Sequence, residues 1–407
     1  MKVGEVLNGY RIETAPTNTG GGMSQWSFAQ KEGRQYFVKM FLAPKYPLDD
    51  GPGSEASKAR KREVCLQFER RHLEIAGRLD PTEPGGGNLV IPCDFFRVDS
   101  TYVKVMERVD AEVLPAAHRL SGHQLIVILR TLVFSLRLLH DKNIVHADVK
   151  PDNVLLKKST DDIFISKLID FDEAYVVGEP PNPEHIVGDP LFYAPELLRY
   201  IKRDDTLPPD ALATSADIFS LGLLVHSWLV GDVPSFDRTK ANYPAEALLS
   251  GLELDVSSAP EVIQPLLARM VALRPMSRPT ISEVIDFLAD VDPNQLVPTK
   301  APVARVRPKP TAAAPIKSVV APPKTVTARP TASTRSGAPA KSSGLKARMG
   351  SATRSSARPS SSAPAVPPEV ASRPSAASAD SASADRPGLR STIGRKKRPP
   401  ETPGTPF

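Results

Sequence analysis

Apolar and polar positions change rhythm once along this chain. Before Asp110 the apolar residues come in short runs that suit strands. Tyr10-Arg-Ile12, Gln35-Tyr-Phe-Val-Lys-Met-Phe41, Leu89-Val-Ile91 and Thr101-Tyr-Val-Lys-Val-Met106 are separated by charged or Gly-rich turns. One helical stretch interrupts them, Lys58 to Leu79, with Val64, Phe68, Leu73, Ile75 and Leu79 loosely spaced for one face. Pro44 to Ser57 before it reads as a loop, and Asp80 to Asn88 ends it. After Asp110 the period is helical. Gln124 to Leu139 is a strongly apolar helix, and most segments from 190 to 292 follow suit. A small β-rich part followed by a larger helical part predicts an α+β chain of two lobes with a site in the cleft between them. The expected boundaries are 1–110, 111–292 and a third region, 293–407, with no periodicity at all.

Charge sharpens that last boundary. Residues 301–407 carry 19 Lys+Arg against 4 Asp+Glu, a net of +15, whereas the whole chain is +6, so the first 300 residues sum to −9. The tail is Ala, Pro, Ser, Thr, Lys and Arg with a single aromatic residue, Phe407. It lacks the apolar surface to offset the entropy of ordering and is expected to be disordered. Cys65 and Cys93 have neither metal-ligand spacing nor the pattern of a disulfide framework. No apolar run reads as a membrane span of roughly 18–20 residues, and no signal-type core follows Met1. A cytoplasmic protein with reduced thiols is the expectation.

Chemistry is concentrated in Val145-His-Ala-Asp-Val-Lys-Pro-Asp-Asn-Val-Leu-Leu156. An Asp, a Lys two residues later and an Asn five residues later can hold a hydroxyl nucleophile, a phosphate and a metal on one short loop. Further motifs follow in order: Asp170-Phe-Asp172, Gly188-Asp-Pro-Leu-Phe-Tyr-Ala-Pro-Glu196, Asp217-Ile-Phe-Ser-Leu-Gly222 and Ser277-Arg-Pro-Thr280. Upstream lie Thr19-Gly-Gly-Gly-Met-Ser-Gln-Trp26 and Val38-Lys39. Over residues 10–290 this series resembles the eukaryotic-like (Hanks-type) serine/threonine protein kinases.

The resemblance implies a bilobal protein-kinase-like fold and transfer of the γ-phosphate of ATP to protein Ser/Thr hydroxyls. Asp148 would accept the hydroxyl proton and Lys150 would neutralise the transferring phosphoryl. Asn153 and Asp170 would hold Mg²⁺ or Mn²⁺. Gly20, Gly21 and Gly22 would approach the phosphates, and Lys39 would contact them. Glu69 on the following helix is the expected partner of Lys39, with Glu63 and Glu74 as alternatives. Met106, Glu107 and Arg108 would form the hinge beside the adenine. Glu196 with Arg278, and Asp217, would be scaffold.

The chain departs from that pattern at several positions. Ala147 replaces the Arg that reads an activation-segment phosphate, and the segment from Asp170 to Glu196 contains no Ser or Thr. Activity without activation-loop phosphorylation is therefore expected. Asp172 replaces a Gly, which would bias the loop or add a carboxylate to the metal site. Asp189 replaces a Thr, where it would pair with Lys150 or repel Asp148. Thr19 and Ser24 replace glycines, and Trp26 replaces the Val over the adenine. These changes keep open a pseudokinase or nucleotide-binding regulatory module. The Asp-x-Asp pattern keeps open a small-molecule phosphotransferase. The tail, with 26 Ser+Thr and the cluster Arg395-Lys-Lys-Arg398, is a candidate autophosphorylation substrate and a candidate ligand for an anionic partner. Specific nucleic-acid recognition is not expected of it, since a single terminal aromatic residue offers almost nothing for base stacking.

Overall fold

Glu32 and Gly33 both take positive φ, 51° and 79°. That is the geometry of a two-residue turn matched to strand twist, so Ser24–Lys31 (β3) folds back on Arg34–Phe41 (β4) as a hairpin. The computed structural model describes residues 1–18, 24–83, 86–111, 120–159, 163–208 and 210–296. They belong to the first of two compact units, residues 1–320. The basic tail, and with it the expectation of disorder, lies outside the described residues.

The hairpin is the centre of a six-stranded antiparallel sheet. Val6–Leu7 (β1) and Tyr10–Ile12 (β2) extend it on one side, and Pro92–Val98 (β5) and Thr101–Glu107 (β6) on the other, in the order β1-β2-β3-β4-β6-β5. Alternation along β4 and β6 gives the sheet two different faces. Val38, Val103 and Val105 join Leu7, Tyr10, Ile12 and Ala29 in an apolar cluster on one face. Phe41 and Tyr102 point the other way, into a cluster with Cys65. Lys39 and Lys104 share that second parity and stand directly opposite each other across β4 and β6. Leu89-Val-Ile91 is not a strand; Leu89 makes one bridge to Leu168, and the strand begins at Pro92.

Glu55–Arg78 (α1) lies against the second face. It begins before Lys58 because the Ser54 hydroxyl caps it, accepting from Ser57 N–H at 3.3 Å. Its buried residues are Lys58, Cys65, His72 and Ile75, whereas Leu73, expected inside, is 51 % exposed. Aromatic packing sets that rotation: Phe68 lies 5.0 Å from Phe41 and 4.1 Å from His72, and the His72 ring stacks on Phe95.

Gly122–Asp141 (α2) opens the helical part behind a capping box of Ser121 and Gln124. By length and composition it could cross a membrane, contrary to the sequence expectation. It is instead the core helix, with Leu125, Ile128, Leu129, Leu132, Leu136 and Leu139 at most 1 % exposed. Ile144–Val145 (β7), Val154–Lys158 (β8), Phe164–Leu168 (β9) and Tyr175–Val176 (β10) follow. They pair as β7 with β10 and β8 with β9, bracketing the loop that carries Asp148. Pro195–Ile201 (α3), Ser215–Val230 (α4), Pro244–Leu249 (α5), Gln264–Met270 (α6) and Ile281–Asp290 (α7) complete this part. The packed chain continues past the expected boundary at 292, to a fully buried Leu296.

The turn after α7 is seated on the first residue of α2. A Cβ at Gly122 would collide with the Pro293 carbonyl oxygen, which is backbone and has no rotamer with which to yield. Gly122→Ala is therefore expected to destabilise the fold by about 1–3 kcal/mol, read as a lower thermal midpoint. An unchanged midpoint would mean that the 293–296 turn is not docked there.

Candidate active site

Between β7 and β8 the loop 146–153 doubles back on itself with Ala147 at φ 64°, a left-handed conformation that L-residues disfavour. It is held by Asp217, fully buried in the first turn of α4. The Asp217 carboxylate accepts from His146 N–H at 2.8 Å, Ala147 N–H at 2.9 Å and His140 Nε2 at 3.0 Å. His146 is fixed in turn. Its Nδ1 accepts from Asp148 N–H at 3.3 Å, which leaves Nε2 to donate to the Ile169 carbonyl at 3.0 Å.

Asp148 is thereby presented at the mouth of the loop, 8 % exposed. Its Oδ2 accepts from Lys150 Nζ at 2.6 Å and from Asn153 Nδ2 at 2.7 Å, and the same Nδ2 donates to the Asp148 carbonyl at 2.8 Å. Oδ1 has no hydrogen-bond partner among the described residues and is the oxygen left to receive a proton. Burial pushes the Asp148 carboxyl above the usual aspartate range, with the Lys150 ammonium opposing the shift. Both donations from Asn153 use its nitrogen, so the amide oxygen is left for a metal.

Asp189 does not enter this constellation. Its Oδ1 accepts from Leu191 N–H at 3.0 Å within its own turn, so the expected pairing with Lys150 is not formed.

Behind the loop Asp170, also at positive φ (64°), faces the sheet. Lys39 Nζ donates to Asp170 at 2.9 and 3.0 Å and lies 2.6 Å from Asp172 Oδ2. The other Asp172 oxygen, Oδ1, takes the Lys104 ammonium. Lys104 lies 3.8 Å from Asp170, and His72 Nε2 lies 3.7 Å from Asp172 Oδ1. Burial acts to lower the Lys39 ammonium, but Asp172 and then Asp170 outweigh it and hold it above the ordinary lysine range. Burial likewise acts to raise Asp172, yet Lys104 and then Lys39 keep it well below the usual carboxylate range. Both Asp172 oxygens are thus engaged by lysines. Lys104 was missed in the sequence reading, although a Lys inside the apolar run Tyr102-Val-Lys-Val-Met106 was a visible signal.

The helix glutamates go elsewhere. Tyr102 Oη donates to Glu69 at 3.3 Å, Gln67 donates to Glu63, and Arg78 donates to Glu74. Among the described residues the carboxylates paired with Lys39 are Asp170 and Asp172, and not Glu69. Met106 is buried at the end of β6, where Glu107 pairs in register with Tyr36. The Arg108 N–H donates to the Gln35 carbonyl at 3.1 Å, so that amide is turned to the sheet and away from an adenine. Trp26 stacks on Phe37 at 5.3 Å. Gly20, Gly21 and Gly22 lie outside the described residues.

One partly buried acid is left over. Glu173 accepts from Val187 N–H at 3.3 Å, and burial pushes its carboxyl up to about 8 despite the opposing Arg71 guanidinium. Arg71 on α1 has its Nε and Nη1 buried without a hydrogen-bond partner.

The sequence model of the family described as "Protein kinase domain" matches residues 79–287. Among curated proteins the chain is similar to death-associated protein kinase 2 of Mus musculus, 25 % identical over 249 residues, covering 59 % of this chain and 63 % of that protein. It is 30 % identical over 210 residues to serine/threonine-protein kinase D2 of Rattus norvegicus, covering 50 % and 21 %. With serine/threonine-protein kinase dkf-2 of Caenorhabditis briggsae it shares 33 % over 135 residues, covering 32 % and 10 %. The chain thus spans less than two thirds of the length of these relatives.

Glu173 has a measurable consequence. A carboxyl raised from 4.5 to about 8 binds a proton in the folded state that the unfolded chain has already released. Its contribution is fully present below pH 4.5 and is lost as pH rises through about 8. Urea midpoints measured from pH 5 to 9 are expected to fall in wild type, and Glu173→Gln is expected to flatten that slope.

Proposed function

We propose that this chain, which belongs to the protein kinase domain family, is an ATP-dependent protein kinase acting on Ser/Thr hydroxyls. One observation carries the reading: Asp148, aimed by Lys150 and Asn153 on a loop pinned by Asp217, opens beside the Lys39–Asp170 pair. Asp148 takes the proton of the acceptor hydroxyl as its oxygen bonds to the γ-phosphorus. The bond to the β–γ bridging oxygen breaks, and ADP leaves. Lys150 stands 2.6 Å from Asp148 and neutralises charge on the transferring group. Lys39 holds the remaining phosphates.

The Asn153 amide oxygen and the Asp170 carboxylate are hard oxygen donors, a set that fits Mg²⁺ or Mn²⁺. When bound, the ion neutralises phosphate charge. Asp170 is 29 % exposed at its side chain, open enough to change partners from Lys39 to an ion. The Arg108 amide is already engaged, so the adenine edge falls to Met106, Glu107 and the Arg108 carbonyl.

Activity without a phosphorylated activation segment follows from the same region. Its two hydroxyl side chains are Tyr175, 1 % exposed, and Tyr193, whose Oη accepts from Gly188 N–H at 2.7 Å. Neither is presented to a kinase, and Ala147 offers no cation to a phosphate. The unbridged thiols Cys65 and Cys93 fit a cytoplasmic location. The basic, hydroxyl-rich tail fits a substrate for autophosphorylation whose +15 charge falls as phosphates are added. A nucleotide-binding regulatory module is the second reading, favoured by Lys39 being held by two carboxylates that compete with a phosphate for it. The small-molecule phosphotransferase loses its support, since Asp172 is committed to lysines.

Incorporation of label from γ-labelled ATP with Mg²⁺ into the protein and a basic acceptor tests the function. Asp148→Ala is expected to lower transfer about 10²–10⁴-fold, and Lys39→Ala to lower it as well. Nucleotide binding without any transfer would select the regulatory module. Phosphatase treatment beforehand is expected to leave transfer to the acceptor unchanged; a loss would reinstate an activating phosphate.

A further inference from the structure

We propose that Asp172, itself held by Lys104, is the positioning residue for Lys39, so that the tether of the phosphate-contacting lysine comes from the metal loop and not from α1. This rests on the phosphotransfer reading above. The geometry begins with the sheet. Lys39 and Lys104 are Cα partners on adjacent strands, both buried, at 8 % and 1 % exposure. Like charges opposite one another in a sheet repel, and in a low-dielectric site such a pair stands only with counter-charge between its members. Asp172 provides it with one oxygen for each lysine.

Helix α1 supplies no alternative. Glu63, Glu69 and Glu74 are taken by Gln67, Tyr102 and Arg78. The α1 side chain that does approach the cluster is His72, whose ring is packed between Phe68 and Phe95 and whose Nε2 makes no hydrogen bond.

Division of labour follows. Asp170 and Asp172 both hold Lys39, but Asp170 is the more exposed carboxylate, at 29 % against 15 % for Asp172, and is the one free to turn to an ion. Asp172 cannot leave without stranding two buried ammonium groups. Lys39 therefore stays in place as Asp170 changes partner. On this account Lys104 is not an accident of the strand: it gives the second Asp172 oxygen its partner and fixes the carboxylate in the bridging position.

The test compares affinity for a fluorescent ATP analogue with Mg²⁺, and the KM and kcat of transfer, in wild type and variants. Asp172→Asn keeps the shape and removes the charge. It is expected to weaken nucleotide binding and raise KM for ATP by about tenfold, with a smaller change in kcat; Asp172→Glu is expected to recover part of the loss. If Asp172→Asn fails to fold, Asp172→Asn with Lys104→Met removes the stranded ammonium. That pair is expected to fold and still bind weakly. Unchanged affinity in either variant overturns the proposal. So does an equal or larger loss in Glu69→Gln, which would return the tether to the helix. Wild type that binds nucleotide but transfers no phosphate sinks the kinase reading alone, and the affinities still decide the role of Asp172. Wild type that binds no nucleotide overturns both.

Discussion

One buried carboxylate, Asp217, ties together the elements that make a site here. It sits in the first turn of α4, where the helix dipole favours negative charge, and meets two backbone N–H groups of the 146–153 loop and a ring nitrogen from α2. Those N–H groups belong to a turn with Ala147 at φ 64°, so they are aimed inward, where water is absent and an unpaired donor is costly. Without that acceptor the loop would relax toward ordinary φ, and Asp148, one residue on, would swing with it. The direction of Asp148 is thus set by a residue about seventy positions later in the chain.

Two buried ion clusters show why one is scaffold and the other is site. Arg278 makes bidentate contacts with Glu196 at 2.6 and 2.9 Å and also donates to the carbonyls of Ala272, Ser215 and Leu273. Both partners are within a few per cent of complete burial, and the guanidinium has nothing left to offer. A pair so completely satisfied holds the C-terminal helices against α3 and has no second state. The Lys39 cluster is balanced in charge, two lysines against two aspartates, yet one aspartate reaches solvent and the ammonium of Lys39 divides itself among three oxygens. Groups that share partners can exchange them at modest cost, which is what phosphate and metal binding require.

What was legible in the sequence was whatever is decided locally. The 146–153 loop, Asp170 across the β8–β9 hairpin from Asn153, and Ala194-Pro-Glu196 at the start of α3 each involve residues near one another in the chain, so spacing is informative about their local placement. The switch from strand to helix rhythm also survived, because alternation on β4 and β6 is a backbone property. What was hidden depended on rotation and register between distant elements. Glu69 was expected on Lys39, but the roll of α1 is set by Phe68 and His72 packing on Phe41 and Phe95, which no spacing within the helix encodes. Asp172 and Lys104 are 68 positions apart and look unremarkable singly; only the pairing of β4 with β6 makes one the answer to the other. Helix α2 is long and apolar enough to cross a membrane, a reading the sequence analysis did not make, and a largely apolar helix of that length is equally at home in a protein core.

Moving the lysine tether off α1 changes what that helix is for. A helix glutamate on Lys39 makes helix position a switch, because rolling the helix breaks the pair. Here α1 is docked through an aromatic stack, with the Phe95 and Tyr102 rings 5.7 Å apart and His72 within the same cluster. Burial lowers the His72 imidazole below its ordinary range, which keeps it neutral and the interface apolar. Apolar docking is insensitive to the charge state of the cleft, so nucleotide and metal can exchange while the helix stays where it is. The Arg71 guanidinium on α1 also acts on the charge of Glu173, near the start of the segment that follows Asp170.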